Sequence, residues 1–123
     1  MGYRSEVYIL INNTATSDLL NHCIKAKRAY SLLFEDTAPK KMKGGHLLWQ
    51  LSYVKWYPSY DDVKETMDFL VSLQEQGREE EFSFARLGEE YGDWETYGES
   101  EECYFMPRQD VEVYCPEEGI VND

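Results

Sequence analysis

The stretch HLLWQLSYVKWYPSYDDVKETMDFLVSLQEQG, residues 46–77, changes its hydrophobic period halfway, and that change decides the fold class. In its first part Leu47, Trp49, Leu51 and Tyr53 fall on one face, while Leu48, Gln50, Ser52, Val54 and Trp56 fall on the other. A period of two in aromatic and aliphatic residues predicts a strand. After Pro58 the apolar residues Val63, Met67, Leu70 and Leu73 recur at helical spacing. Ser59 is placed to cap that helix. Asp61 and Asp62 suit its positive first turn, and Gly77 suits the position just past its end.

Working outward, SEVYILIN (residues 5–12) is apolar on both faces and reads as a central strand. TATSDLLNHCIKAKRAYSLLF (14–34) returns to helical spacing, with Leu19, Leu20, Cys23, Ile24, Lys27, Tyr30 and Phe34 on one stripe. Thr16 or Ser17 is the expected N-cap, and Lys25, Lys27 and Arg28 load the later turns. The segment EDTAPKKMKGG (35–45) reads as a loop. Beyond residue 78, EEEFSFARLG and DWETYG read as strands, and CYFMPRQDVEVYC as one broken strand or two. Gly88, Gly92 and Gly98 supply the turns. The order is β-α-β-α-β-β. Both helical stripes need a sheet face, so the expectation is an α+β two-layer sandwich, a mainly antiparallel sheet with two helices on one face. A ferredoxin-like or related split arrangement is one way to build it. Residues 1–115 form the expected single domain, and 116–123 an acidic, loose tail.

The chain has 123 residues, enough for one modest core. Aromatic residues make up 15%, ten of them tyrosine, which argues against a disordered chain. No apolar run approaches the roughly 18 residues of a membrane span. The start lacks both the pattern of a secretory leader and that of a myristoylation site, so the expected compartment is the cytoplasm. Three cysteines with no CxxC pair argue against a disulfide framework or a zinc centre. Cys23 is expected in the core, and Cys103 and Cys115 could be neighbours across a sheet.

Charge is divided very unequally. Residues 1–58 carry eight Lys/Arg against four Asp/Glu, a net of +4, whereas residues 59–123 carry four against twenty, a net of -16. The acidic half would repel phosphates, which disfavours it as a nucleic-acid binder, so no direct nucleic-acid partner is expected. Its densest part is FARLGEEYGDWETYGESEEC, residues 84–103, with seven carboxylates, two tyrosines and a tryptophan.

Together MGYRSEV at the start, VKWYPSYDDV entering the second helix, and FARLGEEYGDWETYG resemble a group of small proteins encoded by bacteriophages and prophage-rich bacterial genomes. That group shares, in this order, a GYRS start, a K-W-Y segment and a G-E-x-x-x-D-x-E-x-x-G stretch. The resemblance covers residues 2–98. It implies a phage-associated cytosolic protein, and it brings no assigned catalytic residues.

The residues themselves offer little to an enzyme. Nucleophilic catalysis needs Ser or Cys beside a base. His22 neighbours Cys23 on a helix, where adjacent side chains diverge. His46 begins a strand and could meet Cys103 or Cys115 only through the fold. Glu89, Glu90, Asp93 and Glu95 miss the register of a calcium loop and have no histidine nearby, so no metal and no cofactor is expected. Carboxylate rows could instead mimic a nucleic acid, and interfaces are enriched in Trp and Tyr. The expectation is therefore a non-enzymatic phage accessory protein that binds and inhibits a host protein, of the defence or nucleic-acid-handling kind. The expected contact surface is Glu89, Glu90, Tyr91, Asp93, Trp94, Glu95, Tyr97, Glu99, Glu101 and Glu102, all taken as exposed. The alternatives are a structural or regulatory homo-oligomer and, third, a small hydrolase or metal-dependent enzyme. A homodimer is expected through the last strands, whose only evident edge protection is Pro107.

Overall fold

The structure, a computed structural model, describes residues 2–102, 104–107 and 111–114. The expected tail and the Cys103–Cys115 pairing lie outside the described residues. In chain order the elements are β1 (Ser5–Ile11), α1 (Thr16–Lys25), α2 (Lys27–Tyr30), a π-helical turn (Ser31–Glu35), β2 (Lys40–Lys41) and β3 (Leu47–Val54). Then come α3 (Asp61–Glu75), β4 (Phe82–Leu87), β5 (Trp94–Gly98), β6 (Tyr104–Pro107) and β7 (Val111–Tyr114). The class is α+β, as the change of period predicts. Five strands form one antiparallel sheet in the order β2-β3-β1-β4-β5, and β6 and β7 pair as a separate hairpin.

The core forms where the alternating faces of the strands meet the helical stripes. Val7, Ile9 and Ile11 of β1, Trp49 and Leu51 of β3, and Phe82 and Phe84 of β4 pack with Leu19, Leu33, Val63, Leu70 and Leu73 from the helices. The Trp49 indole N–H donates to the Leu33 carbonyl at 2.8 Å, so this large buried ring leaves no polar atom unpaired. The other face of the sheet is also apolar at its centre, with Leu10, Leu48 and Ala85 fully buried. β6 lies against β4. Burial on both faces is what the unbroken apolar run of β1 required.

Topology follows from direction. Both β3 and β4 run antiparallel to β1, so they run parallel to each other with β1 between them. Only a crossover can join parallel strands. α3 supplies it, and its 15 residues span about 22 Å, close to the length of the sheet. The connection from β1 to β3 is different. These strands are antiparallel neighbours, so the chain must return to the end it left. One continuous helix would deliver it to the wrong end.

That requirement overturns the single helix expected over residues 14–34. It breaks at Ala26 (φ -93°, ψ 78°), and α2 and the π-helical turn lead back. The ends meet where the Asn13 N–H donates to His46 Nδ1 at 3.0 Å. The break also splits the expected stripe. Leu19 and Cys23 are buried with Ala29 and Leu33, while Leu20, Ile24, Lys27 and Tyr30 are exposed.

Three smaller expectations also change. Neither Thr16, Ser17 nor Ser59 caps a helix: α1 continues from a 3-10 turn at Asn13–Ala15, and α3 starts after Tyr60 without a side-chain cap. Lys40–Lys41, read as loop, pairs with β3. The alternation of β3 fails at its end, because the register shifts between Ser5 and Val7 and Tyr53 adopts a positive φ of 57°. This extra residue turns Tyr53 outward and brings Val54 and Trp56 to the core, the reverse of the strict alternation. Gly77 does end α3 with a positive φ of 74°.

Candidate functional site

The acidic segment folds as the β4–β5 hairpin. Gly88 donates its N–H to the Asp93 carbonyl at 2.8 Å, and the turn passes through Gly92 at a φ of 83°. Near the end of β4, Arg86 faces Glu95 across the ladder. Arg86 is the sole cation between Arg78 and Arg108. It is 15% exposed, and its guanidinium donates from Nη2 to Asp93 Oδ1 at 2.7 Å and from Nε to Glu95 Oε1 at 2.9 Å. A third donor, Nη1, reaches Ser5 Oγ at 3.3 Å. The Tyr3 hydroxyl donates to Asp93 Oδ2 and accepts the Glu90 N–H at 2.9 Å.

The electrostatics follow from these contacts. The Arg86 guanidinium, and then the Tyr3 hydroxyl, hold the Asp93 carboxyl below its ordinary range. Arg86 in turn is held firmly protonated, chiefly by Asp93. The bond to Asp93 pushes the Tyr3 phenol up, and the neighbouring Glu95 charge does the same to Tyr97.

The ten expected contact residues therefore do not form one surface. Glu89, Glu90 and Tyr91 stand at the tip, where Tyr91 is 84% exposed. Asp93 and Glu95, expected to be exposed, are half-buried because Arg86 needs both. Trp94 and Tyr97 are 47% and 37% exposed, but three positions apart on a strand they point to opposite faces. Tyr97 stacks obliquely near Phe84, with ring centroids 5.8 Å apart. Glu99, Glu101 and Glu102 lie at the other end of β5, beside buried Ser100, which donates from Oγ to Asn12 Oδ1 at 2.6 Å. Glu102 sits 3.4 Å from His46 Nε2.

Three distant stretches meet at this corner. A Cβ on Gly88 would overlap the Asp93 carboxylate and the Tyr3 hydroxyl, and one on Gly2 would overlap the Tyr57 hydroxyl. The GYRS, K-W-Y and G-E-x-x-x-D-x-E-x-x-G segments thus interlock in space. The sequence reading missed the clamp of Arg86 and Tyr3. A lone cation at the end of an apolar strand, amid acids, was the available signal.

Elsewhere the chemistry is sparse. His22 Nε2 lies 2.8 Å from the Glu65 carbonyl, and burial pushes the Cys23 thiol up, which disfavours a reactive thiolate. Among the described residues no three His, Cys, Asp or Glu side chains converge as metal ligands, and no helix is long and apolar enough to cross a membrane. Compared with known protein families, curated proteins and solved structures, the chain matches none.

Proposed function

We propose that this chain is a non-enzymatic, phage-associated protein of the host cytoplasm that binds and inhibits a host protein through the tip of the β4–β5 hairpin. One observation carries the reading. Glu89, Glu90 and Tyr91 are exposed on a turn whose base is clamped by Arg86, Asp93 and Tyr3. A turn whose base is already held loses little backbone freedom on binding, and preorganisation of that kind favours affinity. The acids supply steering towards a basic partner, such as a nucleic-acid-handling or defence protein, and the tyrosine supplies the anchor. Trp94 extends the surface along one face of β5. The test is capture from host lysate with the full chain and with Tyr91→Ala plus Glu89→Lys and Glu90→Lys. A basic protein retained by the first and lost by the second supports the reading, and equal capture by both removes it.

A further inference from the structure

The helical layer carries its own exposed apolar surface. Leu20, Ile24 and Tyr30 are 47%, 70% and 44% exposed. They line an open groove of about 570 Å³ across the break at Ala26, with buried Cys23 in its floor and Lys27 and Glu35 at its sides. Ile24 also borders a second groove between α1 and α3, beside Lys25. Leu20 and Ile24 precede the break on α1 and Tyr30 follows it on α2, so the exposed patch straddles it. Contiguous exposed apolar surface with a charged rim marks a contact site. Lys27 and Glu35 flank this groove, Lys25 borders the adjoining one, and Arg28 follows on α2. Among the described residues, the side chains of Lys25, Lys27 and Arg28 have no hydrogen-bond or ion-pair partner.

We propose that this groove receives the β4–β5 hairpin tip of a second copy of the same chain. The two surfaces are complementary in kind: an apolar floor on helices that carry Lys25, Lys27 and Arg28, and an exposed Tyr91 directly after Glu89 and Glu90. The sheet edge is a poorer seam. β5 has only five residues and turns the Glu95 charge towards the core side, both of which discourage strand pairing. Tip and groove are different surfaces, so copies join head to tail or close as a pair that exchanges tips reciprocally. One turn in one groove buries less than a standard interface of about 1,200–2,000 Å², so the association is weak and concentration-dependent. Repulsion between copies of net charge -12 is largely screened beyond about 8 Å at physiological ionic strength, whereas the contact pairs persist. The inference rests on the tip being a contact surface.

Sedimentation velocity of the full chain tests it. The wild-type weight-average sedimentation coefficient should rise with concentration. Groove reversal (Lys25→Glu, Lys27→Glu, Arg28→Glu) and tip reversal (Glu89→Lys, Glu90→Lys) should each abolish the rise. An equimolar mixture of the two variants should restore it, because every contact between them again joins opposite charges. All five side chains are exposed, and circular dichroism checks that both variants stay folded. A wild type that stays monomeric, or a mixture no more associated than its components, overturns the proposal. So does a dimer that survives both reversals, the outcome expected of strand pairing. The groove-reversed chain keeps its acidic tip. If it still captures a host protein but the mixture fails to associate, only this inference falls. If the mixture associates but nothing is captured, only the host-binding reading falls.

Discussion

At the scale of single residues, the corner around Arg86 determines which acids are free. Arg86 holds Asp93 and Glu95, and Tyr3 closes the other side of Asp93. Because the Asp93 carboxyl is held below its ordinary value, the unfolded chain takes up a proton there more readily than the folded one. Its contribution to stability is therefore present above the ordinary value of about 4 and is lost as pH falls below it. Asp93→Asn should flatten the acid limb of stability between about pH 5 and 2, read as denaturation midpoints across pH. A variant as acid-sensitive as the wild type would show that other carboxylates govern that limb. Tyr3→Phe removes a donor to Asp93 and the acceptor for the Glu90 N–H, and should lower the midpoint of chemical denaturation. Beyond Arg86 standing as a lone cation amid acids, none of this was legible in the sequence. Tyr3 and Asp93 are ninety positions apart, and a pattern of acids does not say which one a cation will occupy.

At the scale of elements, the part most legible was α3. Its stripe predicted Val63, Met67, Leu70 and Leu73 in the core; Val63, Leu70 and Leu73 are buried and Met67 is half-buried against them. Leu70→Ala should cost about 2–5 kcal/mol, measured as a shift in the urea midpoint. The helix before β3 was the least legible, because local periodicity continues smoothly through Ala26 and only the antiparallel pairing of β1 with β3 forbids a straight helix. Glu65 stabilises the break. Its Oε1 accepts the Arg28 N–H at 3.0 Å and the Ala29 N–H at 3.3 Å, capping α2 from the neighbouring helix. Glu65→Ala should cost about 0.5–2 kcal/mol, with Glu65→Gln recovering part of it, since the acceptor remains and the charge does not. Equal midpoints for wild type and Glu65→Ala would leave the break to tertiary packing alone. The end of β3 was misread for a related reason: one positive φ at Tyr53 reverses the parity of everything after it.

At the scale of the whole molecule, class and strand character could be read because they depend on the period of burial, and burial dominates the energy. The order of strands could not, since it is set by pairings across tens of residues. Nor could the scattering of the acidic set, because a strand separates its ends and alternates its faces whatever its composition. The polarised charge, by contrast, is a property of the sequence itself. Reversing Glu89 and Glu90 to lysine should slow association with a basic partner and weaken its salt dependence, whereas Tyr91→Ala should mainly speed dissociation. Stopped-flow and surface-binding rates over a salt series separate the two effects. Rates unchanged by reversal would mean that the tip does not steer.

The position of β1 between β3 and β4 has a consequence for biosynthesis. β1 leaves the ribosome before both of its neighbours, and they arrive at very different times. β3 is complete by Val54, but β4 is not complete until Leu87. At about 5–20 residues per second, the nascent chain carries one unpaired, apolar strand edge for a second or more. The basic early half, net +4, is made without the acids that later surround it. Nascent chains arrested shortly after Gly77 should accordingly bind holdase chaperones, and those arrested with the β4–β5 hairpin clear of the exit tunnel should release them.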